Sequence, residues 1–180
     1  MPRRLSRLRP AARAALALGA TLAAMAAGAA PSSASTTAAP PCATSRLVIW
    51  LDTQGNGAAG STYYRLELTN LSRSACTLFG YPRVSAVDLA AHRLGSAATR
   101  DAAHAARKVR LAPGASATAV LRIVDAANFP RPVCRPTTAA GVRVSLPHAS
   151  GSKLVPFPFR ACSRTRPGPV FLTVQAVARG

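Results

Sequence analysis

Apolar residues recur at every second position through much of the chain from Leu47 onward, the period of half-buried strands. RLVIWLD (46–52) predicts one strand and YYRLELTN (63–70) a second, with Tyr64, Leu66 and Leu68 on one face and Tyr63, Arg65, Glu67 and Thr69 on the other. Glycine-rich TQGNGAAG (53–60) reads as the loop between them and NLSRS as the turn that follows, which makes the two an antiparallel pair. CTLF and RVSAVD come next, separated by a structural turn at Gly80, Tyr81 and Pro82. Glycine frees the backbone there, and proline confines the preceding tyrosine to extended geometry.

The alanine-rich stretch 89–106 is looser, with room for a helical turn. KVRLAPG then turns into SATAVLRIVD, where Ala117, Ala119, Leu121 and Ile123 alternate with Thr118, Val120, Arg122 and Val124. NFPRPVCRP reads as a proline-rich loop that cannot be a central strand. GVRVSL, KLVPF and VFLTVQAV complete the set. Eight or nine short strands without helical periodicity predict an all-β protein, an antiparallel β-sandwich of immunoglobulin-like kind with two disulfides.

The N-terminus follows a different pattern. MPRRLSRLRPAAR carries five arginines and leads into a small, apolar, alanine-rich run, which reads as a signal peptide over 1–30. Residues 31–41, rich in Ser, Thr, Ala and Pro, read as a flexible spacer, and a single domain is expected over 42–180. Arg3 and Arg4 keep a twin-arginine export route open. Cys42 follows two prolines instead of a lipoprotein box, and no later apolar run reaches the roughly 20 residues of a spanning helix. The expected destination is extracellular, after cleavage of the leader.

Four cysteines in an exported chain imply disulfides. Of the three connectivities, Cys42 with Cys76 and Cys134 with Cys162 is favoured, each closing a loop of about 30 residues. The spacing matches neither a redox Cys-x-x-Cys nor a zinc site.

Net charge is +18, and without the five leader arginines it is still +13. Such a field attracts polyanions. The candidate cations are Arg100, Arg107, Lys108 and Arg110 around one loop and strand start, with Arg131 and Arg135 flanking Cys134. Cations also guard strand edges. Aromatic residues are only 5% of the chain and form no stacking series, which argues against nucleic acid and leaves an anionic cell-wall polymer or a protein as partner.

Catalytic patterns are sparse. The five carboxylates, Asp52, Glu67, Asp88, Asp101 and Asp125, are dispersed, and mid-strand Glu67 reads as a cross-strand partner for a cation such as Arg65. His92, His104 and His148 sit in expected loops without metal-ligand spacing. No G-x-S-x-G elbow or P-loop occurs, and no motif calls for a cofactor or metal.

Cys42, YYRLELTNLSRSACTLFGYPRVSAVD (63–88), VRLAPGASATAVL (109–121), Cys134 and Cys162 together resemble the exported actinobacterial domain-of-unknown-function family numbered forty-two thirty-two. The likeness runs from about Cys42 to Val177, and C-T-L-x-G-Y-P is its most specific piece. It implies a secreted, disulfide-bearing β-sandwich and transfers no catalytic residue or ligand. The functional expectation is a secreted, non-catalytic binding or structural module. The alternatives are a secreted hydrolase with a triad assembled from distant positions, or a small inhibitor presenting NFPRPVCRP as bait.

Overall fold

The structure is a computed structural model that describes residues 38–165 and 167–180. The leader expected over 1–30, and the spacer as far as residue 37, lie outside the described residues. Twelve strands follow in chain order: β1 (Leu47–Ala58), β2 (Ser61–Asn70), β3 (Cys76–Leu78), β4 (Arg83–Val87), β5 (Arg93–Leu94) and β6 (Thr99–Asp101). Then come β7 (Val109–Leu111), β8 (Ser116–Val124), β9 (Pro136–Ser145), β10 (Lys153–Cys162), β11 (Leu172–Gln175) and β12 (Ala178–Arg179).

One sheet runs β1-β2-β8-β11-β6, with β12 also on β8; a second runs β10-β9-β4-β5; β3 and β7 form a separate ribbon. The two large sheets face each other, β1 across β10 and β11 across β4, and bury one apolar cluster between them. This is the β-sandwich that the alternation predicts. Leu66 and Leu68 of β2 and Ala117, Ala119, Leu121 and Ile123 of β8 all point into that cluster. Period 2 lets one strand be greasy inside and polar outside.

Several elements differ from the sequence reading, each for a physical reason. β1 does not stop at Asp52. It runs through the glycine-rich stretch to Ala58, with a bulge between Asp52 and Asn56. The hairpin turn is only Ala59 and Gly60, both at positive φ (44° and 72°), as a two-residue turn of the right twist requires. Gly55 is needed within the bulge, because a Cβ there would lie 2.5 Å from Thr62 Cγ2 and 2.7 Å from the Tyr64 ring. Backbone pairing needs no side chains, so a strand persists where composition suggests a loop.

The 89–106 segment holds β5 and β6 and no helical turn. The chain crosses between the sheets at Gly95 (φ 61°), whose N–H donates to the Ser163 carbonyl at 3.2 Å. β6 pairs with β11 in parallel, an exception to the antiparallel pattern.

NFPRPVCRP is not wholly a loop either. Ala126–Asn128 forms a 3-10 turn capped by the Asp125 carboxylate, which accepts from the Ala127 N–H at 2.9 Å. A single helical turn, α1 (Arg131–Cys134), follows. Proline starts such a turn well because its fixed φ suits the first positions. Pro136 then opens β9 five residues before the expected strand, and β10 continues past Phe157 to Cys162. Pro156 and Pro158 are tolerated because β10 is an edge strand.

The cysteines join as favoured, Cys42 to Cys76 and Cys134 to Cys162. The domain begins slightly before Cys42. Pro40 accepts from the Thr77 N–H at 2.8 Å, and Pro41 bridges Thr77 in parallel.

Candidate functional site

β1, β4, β8 and β10 begin, and β2 and β9 end, at one end of the sandwich. Several chain segments meet there, among them residues 40–46, 70–76, 79–83 and 100–106, the β7–β8 turn and the β9–β10 turn. The Cys42–Cys76 disulfide ties the first two together.

Asn70, fully buried, fixes the rest. Its amide nitrogen donates to the carbonyls of Ser74 (2.9 Å), Leu111 (3.2 Å) and Ala112 (3.3 Å). Its side-chain oxygen accepts from the N–H (3.0 Å) and hydroxyl (2.7 Å) of Ser72. Its backbone closes on the other side, with its N–H on the Ala115 carbonyl and its own carbonyl accepting from Gly114. One amide therefore shapes both the 70–76 loop and the β7–β8 turn. Asparagine is suited to this because it offers donors and an acceptor together.

Three adjoining grooves cross this end. The middle one, about 550 Å³, is bordered by the Cys42 segment, Thr44, Ser45, Ser152, Lys153 and His148. Thr44 Oγ1 is buried beside it with no hydrogen-bond partner, an uncommon state for a buried hydroxyl. A second groove, about 570 Å³, shares Pro41 and Ala43 with the first and adds Arg46, Leu71, Ser72, Arg73 and Ser74. The third, about 550 Å³, shares His148 and Ala149 with the first and is walled by Phe79, Tyr81, Arg83, Arg100 and Pro147.

Together the grooves present Arg46, Arg73, Arg83, Arg100 and Lys153, with His148 where two of them meet. No carboxylate lines any of the three among the described residues. The one contact between a basic and an acidic side chain among the described residues is elsewhere, between the His92 ring and Asp88 at 3.3 Å, so none of the five cations has a carboxylate partner.

Tyr81 has a clear place in the third groove. The Arg100 guanidinium lies 5.5 Å from its ring centroid, within cation–π range, and its hydroxyl approaches the His104 carbonyl at 3.5 Å. Gly80 adopts φ 95°, and its carbonyl accepts from the Val177 N–H at 2.9 Å. The turn is structural, and its tyrosine also forms a groove wall. Phe79, expected at the end of a strand, falls just past β3 and is half-exposed, at 49%.

The six cations singled out from sequence do not form one site. Arg100 is in the grooves. Arg107 and Lys108 are exposed in the segment before β7, and Arg110 on β7 stands opposite Thr77. Arg131 borders a different concavity with Asp125, Phe129 and Arg160. Arg135 closes α1 in the left-handed region (φ 51°). Arg46, Arg73, Arg83 and Lys153 were missed because each stands on a separate segment, and only the fold gathers them.

Two carboxylates outside the grooves are held by local contacts. The backbone N–H of His92 holds the Asp88 carboxyl below its ordinary 3.8, helped by the His92 ring. The Gln175 amide, at 3.0 Å, and the Ala103 N–H do the same for Asp101. Glu67 stands opposite Trp50 and Thr118 across the sheet, with no cation partner. No serine or threonine hydroxyl is hydrogen-bonded to a histidine ring among the described residues. No helix among them is long and apolar enough to cross a membrane.

Fold and site define a disulfide-stapled β-sandwich with a basic, grooved end. Residues 42–178 match the family model described as Domain of unknown function (DUF4232), and the chain belongs to that family. Neither the curated proteins nor the solved structures contain a match to it.

Proposed function

We propose that the protein is an exported, non-catalytic binding module of the cell envelope or extracellular space, and that it takes up an anionic polymer along its basic end. The observation that carries this is the run of three adjoining grooves bearing five unneutralised cations and no carboxylate. Export is supported by the arginine-led, alanine-rich leader and by two disulfides.

The energetics favour a polymer over a small ion. An exposed ion pair contributes about 0.2–1 kcal/mol, so one anion would be held weakly. A polymer that places successive charges on five cations gains by linkage, because each later contact forms at high effective concentration.

Co-sedimentation of the oxidised full chain with an insoluble anionic wall polymer tests the proposal. Binding is expected at about 20 mM salt and release by about 500 mM, since screening shortens the reach of exposed charges. The combined variant Arg46→Ala, Arg73→Ala, Lys153→Ala should lose most retention, whereas Arg107→Ala with Arg110→Ala should lose little. Equal retention of both variants, or no binding of the parent at low salt, would refute the proposal.

A further inference from the structure

The three grooves differ in chemistry. The first two carry hydroxyls and cations and contain no Phe, Tyr or Trp. The third places Phe79, Tyr81 and Pro147 beside Arg83 and Arg100. Phe79 is half-exposed and lies outside the core cluster, so about half of its surface is open to a ligand. The Arg100 guanidinium lies over the Tyr81 ring and has no carboxylate within ion-pair distance. At about 550 Å³ the groove is far larger than a lone phosphate requires.

We propose that this groove is a subsite for one acidic pyranose unit, a uronate or a phosphorylated sugar, within the bound polymer. The inference rests on the reading of the basic end given above. A pyranose presents an apolar C–H face and a polar rim. The face covers Phe79 and removes apolar surface from water. The anionic group sits between Arg83 and Arg100, whose planar forks suit carboxylate and phosphate oxygens alike. His148 and the serine-rich middle groove receive the neighbouring units of the chain.

The test compares polymers by isothermal titration on the oxidised full chain: polyglucuronate, a phosphomannan, and long-chain polyphosphate, which has charge but no sugar ring. Phe79→Ala should weaken binding of one or both glycans about tenfold and leave polyphosphate within twofold, while Arg73→Ala should weaken all three by a similar factor. The glycan that loses more on Phe79→Ala identifies the anion source. Arg100→Lys keeps the charge and discards the planar fork, so it should weaken the glycans more than polyphosphate. If Phe79→Ala changes glycan and polyphosphate binding equally, or changes neither, the subsite is wrong while the basic end stands. If the parent binds none of the polymers, or binds only anionic lipid vesicles, both readings fall.

Discussion

Asn70→Asp is the most direct test of how the basic end is held. The substitution is isosteric but turns a donor facing the carbonyls of Ser74, Leu111 and Ala112 into an oxygen. The site is fully buried, so the ionised acid would face carbonyl oxygens without water. Protonation relieves this, and holding a carboxyl protonated at pH 7 against an ordinary value near 3.9 costs about 4 kcal/mol. That sets the expected loss at pH 7, a large share of the roughly 5–15 kcal/mol of a typical domain. Burial raises the folded-state pKa of the new acid, so the folded form holds its proton over a pH range where the unfolded form has lost it. The penalty should therefore shrink by about 1.4 kcal/mol per unit as pH falls from 7 toward 4.

Asn70→Ala removes the same hydrogen bonds and also the two accepted from Ser72, without adding a charge. At about 1 kcal/mol each the five should cost about 5 kcal/mol with no such slope. Urea unfolding of both variants and the parent at pH 7, 5.5 and 4 reads the difference. Parallel pH profiles for the two variants, or losses below about 1 kcal/mol at pH 7, would show that Asn70 is not the buried hub described.

Replacing Cys134 and Cys162 by serine should cost about 3.5 kcal/mol in urea unfolding, for a sequence separation of 28, and leave polymer retention intact because that bridge lies away from the grooves. The same replacement at Cys42 and Cys76 should cost a similar amount and also weaken retention. For Asp101, the amide of Gln175 lowers the carboxyl's pKa, so its stabilising effect is complete above about 3.8 and fades as pH falls through the lowered value. Thermal melts between pH 5 and 2 should show Asp101→Asn less stable at pH 5 and converging with the parent at the acid end.

The sandwich was legible where side chains alternate and bury. β2 and β8 could be assigned face by face because an apolar residue on every second position has one way to sit against a core. β1 beyond Asp52 was hidden because a glycine-rich run carries no pattern, although Asn56, Gly57 and Ala58 pair with Tyr63, Thr62 and Ser61. β5 and β6 were hidden because their residues are mostly polar and exposed; pairing with β4 and β11 makes them strands. The disulfides were legible because neighbours in sequence pair. The grooves were not. Charge density along the chain pointed to Arg100, Arg107, Lys108 and Arg110, of which only Arg100 lines a groove, whereas Arg46, Arg73, Arg83 and Lys153 join it from four other segments. Tyr81 was visible as part of a corner, but its Arg100 partner comes from the far edge of the other sheet.

The bridge from Cys42 to Cys76 also decides how the domain would carry a mechanical load. A pull on the chain ahead of Cys42 passes through sulfur to Cys76, at the start of β3, and bypasses residues 43–75. That bypassed loop contains the whole β1–β2 hairpin and both cations of the second groove, Arg46 and Arg73. Tension from a tether on that side would reach the domain without peeling its edge strand, so a polymer-bound end could stay folded while the chain ahead of it is stretched.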